Sequence, residues 1–215
     1  YFTRRKPDFQ LTEIHRQARD NPIIQMATTI RMGEPLLLGQ YGESSVITAD
    51  QFIETREHLP EQVQVIVGTH RMRHRANDMR RKCLGYEGDL PNVGERVVCK
   101  RNNHDLGLLN GAMWMIDHIH GVDGDRMDLS ISEDGAGGTL RVDVLAGPFQ
   151  GEDVPRWDLG AQVFDYGWAV TCHSSQGSQW DDVIVVDESR KFRGDARAWL
   201  YTAVTRAAER VTVVR

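Results

Sequence analysis

Apolar Ile23, Ile24, Met26, Ala27 and Ile30 lie between Asn21-Pro22 and Gly33. An asparagine oxygen can take a free amide of a first helical turn, proline has no amide to lose there, and glycine accepts the backbone that ends a helix. A helix is therefore predicted between them. Further along, Val46-Ile47 and Val63 to Val67 read as strands, Asp50 to His58 as a helix, and His70 to Leu84 as a helix capped by Thr69. Strands alternating with helices point to a parallel α/β sheet. From Gly85 to Gly160 the pattern changes to short strands at Arg96–Arg101, Ala112–His120, Arg126–Ser132 and Thr139–Leu145. Asn102-Asn103, Asn110-Gly111, Asp123-Gly124 and Gly135 to Gly138 supply the turns of a small all-β barrel. After Gly160 the α/β character returns, with strands at Trp168–Thr171 and Val183–Val186, a helix from Ala196 to Glu209 and a last strand Val211–Val214. The simplest organisation is one α/β domain built from residues 1–84 and 161–215, interrupted by a β-barrel insert over 85–160.

Among 215 residues the charged ones give a formal net charge of −5, which argues weakly against a nucleic-acid partner. Its distribution softens that argument. Arg71, Arg73, Arg75, Arg80, Arg81 and Lys82 share one segment with His74, and Arg4, Arg5 and Lys6 form a smaller group. A solvated helix face has the same composition. Cys83, Cys99 and Cys172 are far apart and odd in number, which indicates neither a disulfide framework nor a zinc knuckle and suits a reducing cytoplasm. No apolar run is long enough for a membrane helix. A start at Tyr1 suggests a segment of a longer protein.

The segment most suggestive of chemistry runs from Tyr166 to Asp181, where an apolar strand leads into Thr171, His173, Ser174, Ser175, Gln176 and Gly177. Hydroxyls, an imidazole and an amide at a strand-to-helix transition can bond to a phosphate backbone, aided by free amides at the helix start. An ordinary polar turn would look alike. This segment resembles motif V of superfamily 1 helicases, Leu200-Tyr-Thr-Ala-Val-Thr-Arg-Ala207 resembles motif VI, and Leu11-Thr-Glu-Ile-His-Arg-Gln-Ala18 is similar to motif IV. Gly94 to Asn103, with Leu109-Asn-Gly111, is similar to the SH3-like barrel inserted at this point in RecD-like and Dda-like helicases. Related sequences often carry a lysine where Ser174 stands and an acidic residue where Gln179 stands.

The resemblance implies a RecA-like parallel sheet with helices on both faces, interrupted by a small SH3-like barrel. It implies the second motor domain of an ATP-dependent DNA helicase that moves 5′ to 3′. ATP and Mg2+ would be held mainly by a first RecA-like domain outside this chain, since no phosphate-loop sequence with its lysine occurs here. A guanidinium aimed at the γ-phosphate stabilises the charge of phosphoryl transfer. The resemblance assigns that role to Arg16 and Arg206, with Gln17, Gly177 and Gln179 beside the nucleotide. Without it, Arg206 would be read as capping its own helix or pairing with Glu209. Single-stranded DNA would meet Thr171, His173, Ser174, Ser175, Gln176, His70, Arg71 and Asn77. Val185-Val-Asp-Glu-Ser189 imitates a Walker B strand but lies after motif V, and with no phosphate loop little or no ATPase activity is expected of the chain alone. His118 and His120 would share a strand face without a third ligand, so no metal site is expected. Core packing is expected for Trp168 and Trp199, and exposure for Trp157. A different reading is a non-catalytic adaptor whose barrel binds a protein partner.

Overall fold

The computed structural model describes residues 21–133, 138–152 and 160–215. The first segment holds helix α1 (Pro22–Met32), the hairpin β1 (Gly39–Tyr41) and β2 (Ser44–Ile47), helix α2 (Ala49–Thr55), strand β3 (Gln64–Val67) and helix α3 (His70–Cys83). Then come β4 (Arg96–Cys99), β5 (Met113–Asp123), β6 (Arg126–Glu133), β7 (Thr139–Leu145) and β8 (Phe164–Tyr166). Strands β9 (Ala169–Thr171) and β10 (Trp180–Val186), helix α4 (Ala196–Val204) and strand β11 (Ala207–Val214) complete the chain.

The helix boundaries follow from local chemistry. Asn21 Oδ1 accepts from the Ile23 amide at 2.9 Å, and the Gly33 amide, at φ 86°, donates back to Ile30 and Thr29. At α3, Thr69 accepts from the Met72 amide at 3.2 Å. These are the caps expected from the sequence.

The strands from both ends of the chain form one six-stranded sheet in the order β1-β2-β11-β10-β3-β9, parallel throughout except for the β1-β2 hairpin. Its central strands are apolar at successive positions because both faces are covered. Ile66, Val183, Val185, Val211 and Val213 pack on one face with Met26 and Ile30 of α1 and with Trp199 and Ala203 of α4. Val65, Val67, Ile184 and Val214 pack on the other with Phe52 of α2 and Ala76 of α3.

The second sheet is five-stranded and antiparallel, in the order β7-β6-β5-β4-β8. Its two edges are drawn together by one stretch of chain. Gln162 bridges Val144 of β7, the Lys100 amide donates to Val163 at 2.8 Å, and Phe164 to Tyr166 then pair along β4. The curled sheet encloses Val97, Leu108, Trp114, Ile116, Leu129 and Phe164.

The two sheets meet tightly at Gly167-Trp168, between β8 and β9. A Cβ on Gly167 would stand 3.0 Å from the Val97 carbonyl carbon. Trp168 is fully buried, with the Arg96 guanidinium 5.1 Å from its ring centroid and Tyr86 stacked at 6.2 Å. Trp199 is also in the core, as expected; Trp157 lies outside the described residues. Among the described residues no helix is long and apolar enough to cross a membrane.

Four features differ from the sequence reading. The predicted helix Ala196–Glu209 stops at Val204, and residues from Ala207 onward already form a strand beside β10. Parallel pairing that begins at Trp180 opposite Ala207 overrides the helical propensity of Ala207, Ala208 and Glu209. Phe164–Tyr166, too short to stand out in the pattern, is a strand of the second sheet, and Gly39–Tyr41 is an additional edge strand. No helix follows Thr171; residues 172–177 form consecutive turns.

Candidate nucleic-acid and nucleotide interface

Strands β3 and β9 are parallel neighbours, so Gly68-Thr69-His70 and the turn after Thr171 emerge at the same edge of the sheet. That edge, outside the carboxyl ends of parallel strands, is where α/β folds place ligand sites. The turn is held by its own polar groups. Thr171 Oγ1 lies 3.0 Å from Ser174 Oγ, the Ser175 amide donates to the Thr171 carbonyl at 3.0 Å, and Ser175 Oγ donates to Cys172 O at 2.8 Å. Gly177 closes it at φ 90°, a conformation that favours glycine. Cys172 is inert packing: burial pushes its thiol up to about 11.

This geometry sorts the expected contacts. His173 and Gln176 are exposed, and Ser174 is half-buried. Thr171 and Ser175 are buried, at 5% and 0% exposure, and act inside the turn instead of presenting side chains to a ligand. Because the turn does not become a helix, the expected row of free amides at a helix start is also not there. On α3, His70 and Arg71 are exposed at the first turn. Burial first, then Arg73, Lys100 and His74, lower the His70 pKa. Asn77 is 2% exposed and clamps β9, donating to Ala169 O at 3.1 Å and accepting from its amide at 2.8 Å; it is not available to DNA.

The basic run of α3 divides the same way. Arg73 ion-pairs with Asp165, Arg80 donates to the Leu59 and Pro60 carbonyls, and Arg81 grips Glu95 through Nε at 2.6 Å and Nη2 at 3.1 Å. These three are buried, whereas Arg71, Arg75 and Lys82 remain exposed. Helical spacing alone does not reveal which arginines turn inward. For Arg81 and Arg73 the signal lies in Glu95 and Asp165, outside the helix; Arg80 is held by backbone carbonyls, which leave no mark in the sequence.

Arg206 lies just past α4. Its Nε donates to Thr202 O at 3.2 Å, Nη1 to Ser178 O at 3.1 Å and Nη2 to Thr205 Oγ1 at 3.4 Å. It thus caps its helix, as the local reading had it, and at the same time touches the end of the Thr171–Gln179 turn. The Trp180 amide donates to Arg206 O at 3.0 Å, closing a second link between these segments. Beside them opens a cleft of about 380 Å³ lined by Asn21, Thr28, Gln179, Tyr201 and Thr205 among others. Gln179 is exposed there, and Asn21 at the α1 start lines the same cleft. Arg16 and Gln17 themselves lie outside the described residues. A cleft of about 760 Å³ between Arg56–His58 and the outer side of α3 is on the opposite face of the sheet.

The acidic pair after β10 has a structural task. Glu188 accepts from the Gly68 and Thr69 amides at 2.8 and 2.9 Å and from Thr69 Oγ1 at 3.1 Å, fastening the start of α3. Burial alone would raise its carboxyl, but Lys191 and these donors together hold it below the usual range. Asp187 accepts from Arg215 Nε at 3.0 Å. In the second sheet, the His118 and His120 rings meet edge to face at 4.6 Å, and His120 bonds Ser130.

Parts of this chain are similar to known helicases. The model of the UvrD-like helicase C-terminal domain matches residues 166–214, which contain β9, the turn, α4 and Arg206. The ATP-dependent RecD2 DNA helicase of Deinococcus radiodurans is 28% identical across 95% of this chain, which covers 28% of that protein. Pif1 helicase from Candida albicans superposes with a TM-score of 0.52 at 19% identity, over 94% of this chain and 55% of its own. Bacteroides Pif1 bound to ssDNA gives 0.52 at 15% identity, over 89% and 48%. At these identities the structural likeness concerns the fold: a RecA-like α/β domain of the helicase kind. The chain spans about a quarter of the sequence relative and about half of the structural ones. Residues 166–214, where the motif V-like turn and the motif VI-like helix meet at Arg206, are thus similar to the UvrD-like helicase C-terminal domain, and the chain as a whole is similar in sequence to part of RecD2 and in fold to part of Pif1.

Proposed function

We propose that this chain is the second motor lobe of an ATP-dependent DNA helicase. It grips the backbone of single-stranded DNA at one sheet edge and presents Arg206, together with Arg16, to ATP and Mg2+ held mainly by a first RecA-like lobe. The observation that carries this reading is the contact of the Arg206 guanidinium with Ser178 O at 3.1 Å. It ties the candidate nucleotide-sensing arginine to the segment whose other end carries His173, Ser174 and Gln176.

The chemistry runs through that contact. In this state Arg206 spends its donors on neutral oxygens, each bond contributing about 1 kcal/mol net. A phosphate is a stronger acceptor, and its bonds to a guanidinium are roughly twice as strong. When ATP enters the cleft, Arg206 leaves Ser178 and Thr202 for the γ-phosphate, and the turn loses one of its anchors. His173, Ser174 and Gln176 then shift along the strand, and hydrolysis restores the first state. Gln17, Gly177 and Gln179 border the nucleotide, while His70 and Arg71 supply backbone contacts from α3. The curled five-stranded sheet, which takes in Phe164–Tyr166 beyond the expected insert of 85–160, acts as an SH3-like guide between the two α/β parts of the chain. Movement is from 5′ to 3′ in this reading, as the motif resemblance implies.

Backbone recognition predicts binding to oligo-dT and mixed-sequence single strands alike, weakening steeply with salt. Fluorescence anisotropy of the 215-residue chain with labelled oligonucleotides measures this. His173→Ala with Gln176→Ala should reduce affinity by roughly tenfold while leaving the fold intact. A chain that binds no single strand even at low salt contradicts the motor reading and favours a non-catalytic adaptor whose barrel binds protein.

A further inference from the structure

The register of the second sheet sets Asp165 opposite Val98. Residues opposite one another share a sheet face, and so do residues two apart along a strand. Val97 and Cys99 point into the core of that sheet. Arg96 and Val98 therefore stand on the face that looks onto α3, where Arg73 pairs with Asp165. The pleat continues one residue past β4, because the Lys100 amide still donates to Val163 O at 2.8 Å. Lys100 thus rises from the same face, among the first turns of α3.

Its charged neighbours there are Arg73 and Asp165, with His70 beside them. Lys100 feels Arg73, Asp165 and Cys99 electrostatically, and His70 in turn feels Lys100, Arg73 and His74. The one carboxylate in the group, Asp165, is already taken by Arg73. Lys100 is half-buried, and burial before the repulsion of Arg73 lowers its pKa. In a chain with a net charge of −5, this is a local excess of positive charge around a partly desolvated ammonium. An anion would relieve both costs. The position also fits: the loop leaving Lys100 returns at Gly111, where an added Cβ would stand 3.6 Å from Ser174 O. The end of β4 therefore borders the turn that carries His173 and Ser174.

We propose that Lys100 is a phosphate ligand of the single-stranded DNA groove, by which the inserted sheet grips the same backbone as His70, Arg71 and His173. This rests on the DNA-binding reading above. A compact ammonium with three N–H donors recognises a phosphodiester oxygen irrespective of the base, so Lys100 adds affinity without sequence preference.

The test is the salt dependence of oligo-dT binding by the 215-residue chain and its Lys100→Gln and Lys100→Arg variants. Each phosphate neutralised on a single strand contributes about 0.7 to the slope of log affinity against log salt. Lys100→Gln should lower the slope by about 0.7 and the low-salt affinity by roughly three- to tenfold, while Lys100→Arg retains the slope. If the glutamine variant fails a circular-dichroism check of folding, Lys100→Met, which keeps the aliphatic stem, replaces it. An unchanged slope in a folded, uncharged variant overturns the role of Lys100 while the wild-type chain still binds. If the wild-type chain binds no single strand, the DNA-binding reading falls, and this inference with it.

Discussion

Glu188 illustrates how a residue with catalytic looks acquires a structural task. Its sequence context imitates a Walker B acid, yet both carboxylate oxygens are occupied by donors at Gly68, Thr69 and Lys191. Gly68 is required for that approach, since a Cβ there would stand 2.8 Å from Glu188 Cβ. Glu188→Gln should therefore lower stability by about 1–3 kcal/mol at pH 7, the usual range for hydrogen bonds to a charged group. The sign with pH follows from the shift. A carboxyl held below its ordinary 4.5 in the folded state contributes fully above that value, and loses its contribution as pH falls through the folded value. Urea unfolding of wild type and variant should show their difference closing below pH 4.5; a difference that persists unchanged at lower pH contradicts the assignment. At this scale the sequence was least informative. It named Ser175 and Asn77 as DNA contacts, whereas both are buried among backbone partners. A small polar side chain serves a backbone or a ligand with the same atoms, and only burial distinguishes the two.

The elements were far more legible, because caps and apolar periodicity are local. Asn21-Pro22 with Gly33, and Thr69, mark helix ends where the structure has them. The failures occurred where distant pairing decides. The strand Ala207–Val214 takes residues that would otherwise continue α4, and Phe164–Tyr166 is a strand only because β4 stands beside it. The charge pattern of α3 hides a similar long-range fact. Arg81 reaches Glu95 and the carbonyls of Gly88 and Leu90, and its guanidinium lies 4.2 Å from the Tyr166 ring centroid. Glu95 is fully buried, so Glu95→Ala leaves an uncompensated buried charge and should cost about 3–5 kcal/mol. Thermal unfolding measures this. A loss below about 1 kcal/mol, typical of an exposed pair, would show that Arg81–Glu95 does not join α3 to the second sheet.

For the whole molecule, two observations matter most. Residues from both ends of the chain build one parallel sheet, and Arg73–Asp165 and Arg81–Glu95 fasten the second sheet to α3. The groove edge and the cleft beside Arg206 are thereby parts of one framework, joined by the turn from Thr171 to Gln179. Motif resemblance made this organisation visible in the sequence; what it did not contain was the contact of Arg206 with Ser178, which depends on how α4 ends. The central claim is that Arg206 completes a reaction centred on a nucleotide held by another lobe. The direct test is DNA-stimulated ATP hydrolysis by the intact enzyme carrying Arg206→Ala, with nucleotide affinity measured in parallel. The account predicts a fall in turnover on the order of a thousandfold, with nucleotide binding nearly unchanged. Turnover equal to wild type would contradict it.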